Sequence, residues 1–203
     1  SICEGAIKID DLKEFSKENK IKSLTICDTS NLCGALEFSE KLSKIGTQPI
    51  IGTQINFRYE ETIGLLPLFA LNEVGYKRII ELSSLSYLNN NQLSEPNVPL
   101  EELLKTDDGI AIFSGTAFGL FGNLFDKGKP SDIEKLYSKL KSIFNDRFYI
   151  EIQRHGDHNE DIFEKFNLKT SADLEIPLIA TNETFYIRKD MYEACLLYTS
   201  PSP

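Results

Sequence analysis

A short group of polar residues follows the first apolar strand candidate in the chain. The apolar residues 24–27 lead directly into Asp28, Thr29, Ser30 and Asn31, and a helical pattern follows. In folds that repeat strand and helix, the loops after parallel strands converge on one face and carry the functional groups. Asp28 is therefore a candidate site residue. A helix-capping role for Asp28 and Asn31 is the alternative explanation.

Polar residues recur after the other strand candidates and predict a common rim, although a polar rim is also ordinary for any barrel. Near this rim, Glu151 and Arg154 are expected to form a buried ion pair or network. Gly115, Gly119 and Gly122 either cradle a phosphate at a helix start or form a tight turn. The rim candidates after the first strand are Gln54, Ser114, Gly115, Thr116, Glu151, Gln153, Arg154, His155, Thr181, Asn182 and Glu183.

The elements that would position these residues alternate along the chain. Apolar spacing predicts helices at about 7–19, 32–44, 73–85, 100–105, 131–144 and 160–174. Strand candidates lie at 23–27, 49–57, 65–71, 109–113, 148–153 and 177–180, and residues 87–99 predict a surface loop. Strands separated by helices imply parallel pairing. These candidates, with one more strand expected upstream of Ser1, favour an α/β barrel.

Composition narrows the class of protein. The 203 residues are 41% hydrophobic and 26% charged, which is typical of one globular domain. The net charge of −9 argues against a DNA-binding role for this segment alone, because gripping phosphates requires clustered Lys and Arg. No apolar run reaches the ~20 residues that span a bilayer, so no membrane partner is expected. The spacing of the 4 cysteines predicts neither zinc sites nor disulfides, which favours the cytoplasm.

Five segments in a fixed order carry a family resemblance. They are DTSNLCGALEF (28–38), PIIG (49–52), ALNEVGY (70–76), EIQRHG (151–156) and IPLIATNE (176–183). Together they resemble the N-terminal PHP (polymerase and histidinol phosphatase) domain of the bacterial DNA polymerase III alpha subunit. The resemblance covers residues 1–194, which are expected to form one PHP domain. It implies a distorted, TIM-like (β/α)7 barrel, here incomplete at its N-terminus.

Phosphoesterase members of that family carry a cluster of metal ions held by histidines and acids, which activates water against phosphate esters. At four positions where the resemblance implies a metal ligand, this chain carries a residue that binds metals poorly or not at all. Leucine and phenylalanine have no donor atom, and a neutral amide replaces a carboxylate poorly. The replaced positions are Thr29, Gln54, Leu65 and Phe185.

The remaining ligand candidates form a vestigial metal-site rim, which we expect to bind one hard cation weakly at most and to hold no catalytic residue. His155 is expected to act there as a ligand or a hydrogen-bonding group, whereas His158 is expected to be solvated. The vestigial rim consists of Glu4, Asp28, His155 and Glu183.

The resemblance implies that the chain is a fragment of the replicative polymerase, whose whole subunit synthesises DNA with Mg²⁺ in a palm domain outside this sequence. The expected partners are the remainder of the alpha subunit and a proofreading exonuclease subunit, with DNA contacted only through other domains. The second hypothesis for the function is an active metal-dependent PHP phosphoesterase or nuclease. The third is an unrelated enzyme with a barrel fold. Residues 195–203, with two prolines in their last three positions, are expected to be a non-native tail.

Overall fold

The chain folds into a curled sheet with helices packed against it. The computed structural model describes residues 7–88, 95–105, 109–156, 160–188 and 191. The strands are β1 (Ser23–Thr29), β2 (Gln48–Tyr59), β3 (Thr62–Ala70), β4 (Val98–Pro99), β5 (Ile110–Phe113), β6 (Phe148–Ile152) and β7 (Leu178–Ala180). The helices are α1 (Ile9–Glu18), α2 (Ala35–Ser43), α3 (Glu73–Leu88), α4 (Leu100–Leu103), α5 (Leu120–Asp126), α6 (Pro130–Phe144) and α7 (Glu160–Leu174).

The sheet is mixed, so the expectation of parallel pairing throughout is wrong at β3. The strand order is β1-β2-β3-β5-β6-β7, with β4 pairing beside β2. The pairs β1–β2, β5–β6 and β6–β7 are parallel, whereas β3 runs antiparallel to both β2 and β5. Tyr59 pairs with Thr62, so only Glu60 and Glu61 connect β2 to β3. A connection this short can join only antiparallel strands, because a parallel crossover needs a dozen or more residues.

The apolar faces that the sequence predicted pack into one core. On α6 the buried residues recur at the three- and four-residue spacing of a helix face, and Pro130 occupies the first turn, where its missing N–H is tolerated. Removing these side chains from water provides the main stabilisation of the fold. Fully buried members of the core include Leu66 and Leu68 of β3, Ile110 and Ile112 of β5, Leu120, Phe121 and Leu124 of α5, Leu140 and Phe144 of α6, and Phe148 and Ile150 of β6.

Two short elements were not predicted from the sequence. Strand β4 lies inside the segment expected to be a loop, and its 2 residues are too few for a periodic pattern. Helix α5 has only 7 residues. Its apolar residues Leu120, Phe121 and Leu124 are buried as expected for a core stripe, whereas Phe118 before it is 65% exposed.

Some expectations fall outside the described residues and stay predictions. They concern the tail at 195–203 and the Asn-rich part of the 87–99 loop at residues 89–91. The span of the PHP domain, 1–194, likewise stays a prediction. None of the described helices combines the length and the apolar character needed to cross a bilayer.

The close approach of α3 to the start of β5 makes Gly75 a sensitive position. A methyl group on Gly75 would lie 1.8 Å from the carbonyl oxygen of Gly109, which already accepts the Leu71 N–H at 2.8 Å. We therefore expect Gly75→Ala to lower the free energy of unfolding by about 2–3 kcal/mol, a fall in melting temperature of about 5–10 °C.

Circular dichroism during thermal unfolding measures this effect. Ser84→Ala, at an exposed position of the same helix, is the matched control and should change the free energy of unfolding by less than about 0.5 kcal/mol. Equal melting temperatures for the two variants would contradict the packing described at Gly75.

Candidate functional site

The end of β1 carries Asp28 and is held against β2 by backbone and side-chain hydrogen bonds. Asp28 is the register partner of Thr53, whose hydroxyl donates to the Asp28 carbonyl oxygen at 2.7 Å. Ser30, two residues further along, adopts a φ of +57°, and its N–H donates to the Gln54 carbonyl at 2.7 Å. The Tyr87 hydroxyl of α3 donates to the Ser30 carbonyl at 3.1 Å. The loop after Asp28 is therefore fixed from two sides.

Asn31 shapes this loop and does not cap α2. Its Nδ2 donates to the Thr29 carbonyl at 2.9 Å, and its Oδ1 accepts the Cys33 N–H at 3.0 Å. Helix α2 begins only at Ala35, and its N-cap residue Gly34 makes no side-chain capping bond. The capping alternative is therefore wrong for Asn31, which forms a local turn before the helix.

Three of the four replaced ligand positions lie on neighbouring strands. Thr29 of β1 and Gln54 of β2 are direct register partners. Gln54 pairs in turn with Pro67 of β3, and Leu65 lies two residues away on the same strand, therefore on the same face of the sheet. Phe185 follows β7 and is 40% exposed. The first three thus occupy one region of the sheet.

The ends of β6 and β7 meet in a hydrogen-bonded network centred on Glu151. The Thr181 hydroxyl donates a very short hydrogen bond to Glu151 Oε1, and Gln153 Nε2 donates to the same oxygen at 3.1 Å. Gln153 Nε2 also lies 2.8 Å from Thr181 Oγ1. The Gln153 Oε1 atom faces His155 Nε2 at 3.0 Å. His155 is therefore linked to the buried Glu151 through one amide.

The curl of the sheet brings the two ends of the strand order into electrostatic contact. The pKa of the Cys27 thiol on β1 is raised well above its usual range, first by burial and then by the negative charges of Glu151, Asp28 and Glu183. Glu151 lies on β6, and Glu183 follows β7, so both are remote from β1 in strand order. Asp28 and Glu183 of the predicted rim therefore lie within electrostatic reach of one spot, together with Glu151.

Glu151 is 5% exposed, and its environment disfavours the charged form. Burial raises the pKa of Glu151 and the charge of Glu183 raises it further, whereas hydrogen bonds from Thr181 and Gln153 oppose the shift. The backbone N–H of Gly115 also lowers this pKa. Among the described residues, Oε2 of Glu151 has no hydrogen-bond partner.

The expected ion pair between Glu151 and Arg154 is wrong. Arg154 instead donates to both carboxylate oxygens of Glu164 on α7, at 2.9 and 2.7 Å. Arg154 follows β6 and is exposed, whereas the Glu151 carboxylate is buried and bonded to Thr181. The backbone N–H groups of His155 and Gly156 donate to the carboxylate of Glu160. Glu4 and His158 lie outside the described residues.

The glycine cluster before α5 forms a tight turn, as one of the two expectations had it. Gly115 has a φ of +79°, which favours glycine. A methyl group on Gly122 would lie 1.9 Å from the Ala117 carbonyl oxygen, and one on Gly119 2.8 Å from the Leu65 carbonyl oxygen. The three glycines are therefore explained by close backbone packing.

The residues that the structure brings together do not fit a cluster of several metal ions. Over the described part of the chain, no group of three or more His, Cys, Asp or Glu side chains is arranged to hold a metal. Gln153 and Thr181 satisfy one oxygen of Glu151 with neutral donors. Within the described residues, Glu151 is therefore held by hydrogen bonds.

Comparison with known proteins identifies the family of this chain. The PHP domain profile matches residues 1–155. The chain belongs to the PHP domain family. DNA polymerase III subunit alpha of Caulobacter vibrioides is 34% identical over 96% of this chain, and that of Rickettsia felis is 32% identical over 96%. The PHP chain spans 18% and 16% of the lengths of these two relatives.

A solved structure supports the fold. It is a provisionally named metal-dependent phosphoesterase of Bifidobacterium adolescentis, with a TM-score of 0.53 and 12% identity, covering 98% of this chain and 93% of its own. The similarity confirms the expected α/β architecture of an incomplete TIM-like barrel. The PHP rim follows this architecture, because β1, β2, β5, β6 and β7 run in the same direction and end at one edge of the sheet, whereas β3 runs the opposite way.

Sequence reasoning missed a buried polar cluster below the rim. The Tyr137 hydroxyl of α6 donates to Asn167 Oδ1 of α7 at 3.1 Å, and the Glu151 N–H donates to Ser114 Oγ at 2.9 Å. Asn167 is 1% exposed and Tyr137 0%. The available signal was Asn167 itself, a polar residue four positions from Phe163 on the buried face of a helix.

The raised pKa of Glu151 predicts a pH-dependent gain in stability for Glu151→Gln. Above the unfolded-state pKa of about 4.5, the folded protein binds more protons than the unfolded chain, so wild-type stability falls as pH rises through the folded pKa. Glutamine keeps an acceptor for Thr181 and Gln153 and removes this penalty. We expect the variant to melt at a higher temperature than wild type at pH 8, with the difference shrinking towards pH 4.

Thermal unfolding followed from pH 4 to pH 8 tests this sign. Glu164→Gln is the opposite control: Arg154 lowers the pKa of Glu164, so that carboxylate contributes stability above the unfolded pKa and loses it in acid. The control should therefore melt slightly below wild type at pH 8. A Glu151→Gln variant that also melts lower at pH 8 would contradict the environment described for Glu151.

Proposed function

We propose that this chain is the PHP domain of a DNA polymerase III alpha subunit and that its role there is structural. The main observation is the chemistry of the rim. Four positions that the resemblance assigns to metal ligands carry Thr29, Gln54, Leu65 and Phe185, and the buried acid Glu151 is held by the neutral donors Gln153 and Thr181. The identity to alpha subunits along 96% of the chain supports the same assignment.

The activity of the whole protein would be template-directed DNA synthesis. That reaction joins deoxynucleotides through carboxylate-bound Mg²⁺, which we assign to a palm domain outside this sequence. The PHP domain would take no part in the nucleotidyl transfer, and no cofactor is proposed for it beyond weak binding of one cation at the rim.

The proposed partners are the remainder of the alpha subunit and a proofreading exonuclease subunit. A net charge of −9 opposes close contact with a phosphate backbone and is compatible with a protein-facing role. DNA would therefore be contacted through other domains of the polymerase. The site of this work would be the cytoplasm, where bacterial replication takes place.

An active metal-dependent phosphoesterase is the second candidate. The structural neighbour carries that provisional name, and the negative charges of Asp28, Glu151 and Glu183 act on one spot, as ligands of a hard cation would. The missing imidazoles oppose it, because a water-activating cluster in this family needs His and acid ligands together.

A hydrolysis assay separates the two candidates. We expect the purified chain, extended upstream with the sequence of its own gene, to release no p-nitrophenol from p-nitrophenyl phosphate when Mn²⁺ or Zn²⁺ is added. An oligonucleotide with a free 3′-hydroxyl end should likewise stay intact. Asp28→Ala is the control and should give the same background rate as wild type. Metal-dependent turnover that disappears in Asp28→Ala would establish the phosphoesterase and refute the structural role.

A structural role for the rim also predicts the effect of Asp28→Asn. Asp28 is the second-last residue of β1 and takes part in interactions with its neighbours. Replacing its carboxylate by an amide should weaken these and lower the melting temperature by about 2–5 °C. If repulsion from Glu151 and Glu183 dominated instead, neutralising Asp28 would raise the melting temperature.

Differential scanning calorimetry measures the change. Asp146→Asn, an exposed residue of the 3-10 turn between α6 and β6, provides the control and should stay within about 0.5 kcal/mol of wild type. An unchanged or raised melting temperature for Asp28→Asn would contradict a structural role for Asp28.

A further inference from the structure

A small cleft beside the rim is lined by two residues that each keep an unpartnered buried polar atom. Within the described structure, Oε2 of Glu151 and Nδ2 of Asn167 have no hydrogen-bond partner. Their residues are 5% and 1% exposed. Both residues line a cleft of about 20 Å³ between the end of β6, the loop at Thr116 and Ala117, and α7. A buried polar atom left unpaired is costly, so each such atom points to a missing partner.

The other polar atoms of these two side chains are already engaged. Glu151 Oε1 accepts hydrogen bonds from Thr181 and Gln153. Asn167 Oδ1 accepts the Tyr137 hydroxyl at 3.1 Å. The cleft therefore offers one carboxyl oxygen and one amide N–H. A ligand that satisfies both must accept from the amide N–H and, when Glu151 is ionised, donate to its free carboxylate oxygen.

The size of the cleft excludes most ligands. A volume of about 20 Å³ holds about one water-sized molecule, which excludes a nucleotide, a sugar or a phosphate ester. A cation is disfavoured, because the Asn167 N–H presents positive charge and the neighbouring acids are engaged elsewhere. Glu164 pairs with Arg154, and Glu160 accepts two backbone N–H groups.

We propose that this cleft binds one ordered water molecule, which bridges Glu151 Oε2 and Asn167 Nδ2. The water donates one hydrogen to the carboxyl oxygen and accepts the amide N–H. It joins β6 to α7 and links the chain of hydrogen bonds from Thr181 through Glu151 to Asn167 and Tyr137. This site does not depend on the proposed role in the polymerase, since only buried groups of this chain form it.

A crystal structure of the full chain, at a resolution that shows ordered solvent, tests the proposal directly. The expected result is one water peak within hydrogen-bond distance of both Glu151 Oε2 and Asn167 Nδ2. Direct contact between the two side chains would overturn it. So would a peak with the ligand distances of about 2.0–2.3 Å that mark a metal ion.

A double-mutant cycle isolates the bridge in solution. Asn167→Leu removes both the Tyr137 hydrogen bond and the bridge, whereas Tyr137→Phe removes only the former. In the Tyr137→Phe background, Asn167→Leu should therefore still lower the melting temperature by about 3–6 °C. An unchanged melting temperature on adding Asn167→Leu to Tyr137→Phe would show that Nδ2 of Asn167 makes no such bond.

Discussion

The curl of the sheet is the constraint on which the rim depends. Strand β1 stands at one end of the strand order and β7 at the other, yet the charges of Glu151 and Glu183 reach Cys27 on β1. Only a sheet that bends back on itself brings these groups near one another. Strand β3 runs antiparallel to β2, and the tight hairpin between them keeps 8 residue pairs in register.

Acids gathered at a half-buried mouth must be compensated in some way, since burying an unpaired charge costs a large free energy. In metal-dependent members of the family, cations supply that compensation. Here the carboxyl group of Glu151 is met by the hydroxyl of Thr181 and the amide of Gln153. Neutral donors can hold such a group in place without providing a reactive water.

Local periodicity was sufficient to predict much of the fold. Helix α7 begins and ends where its pattern does, and the core face of α6 follows the predicted spacing. The direction of β3 was not predictable from its own residues, because it follows from the two-residue connection before it. The sequence placed Asp28 close to a strand end, and it is the second-last residue of β1. The ion-pair partner of Arg154 was not predicted, since Glu164 lies a helical turn away from the loop that carries the arginine.

The two described cysteines differ in a way that is useful for labelling. The Cys27 sulfur stays protonated next to three acids, and alkylating reagents attack the thiolate. Cys33 lies six residues later on the exposed turn before α2. A maleimide probe would therefore attach at Cys33 in preference to Cys27, a few residues beyond the acid that ends β1. A fluorophore placed there would report on any protein that covers the mouth of the sheet.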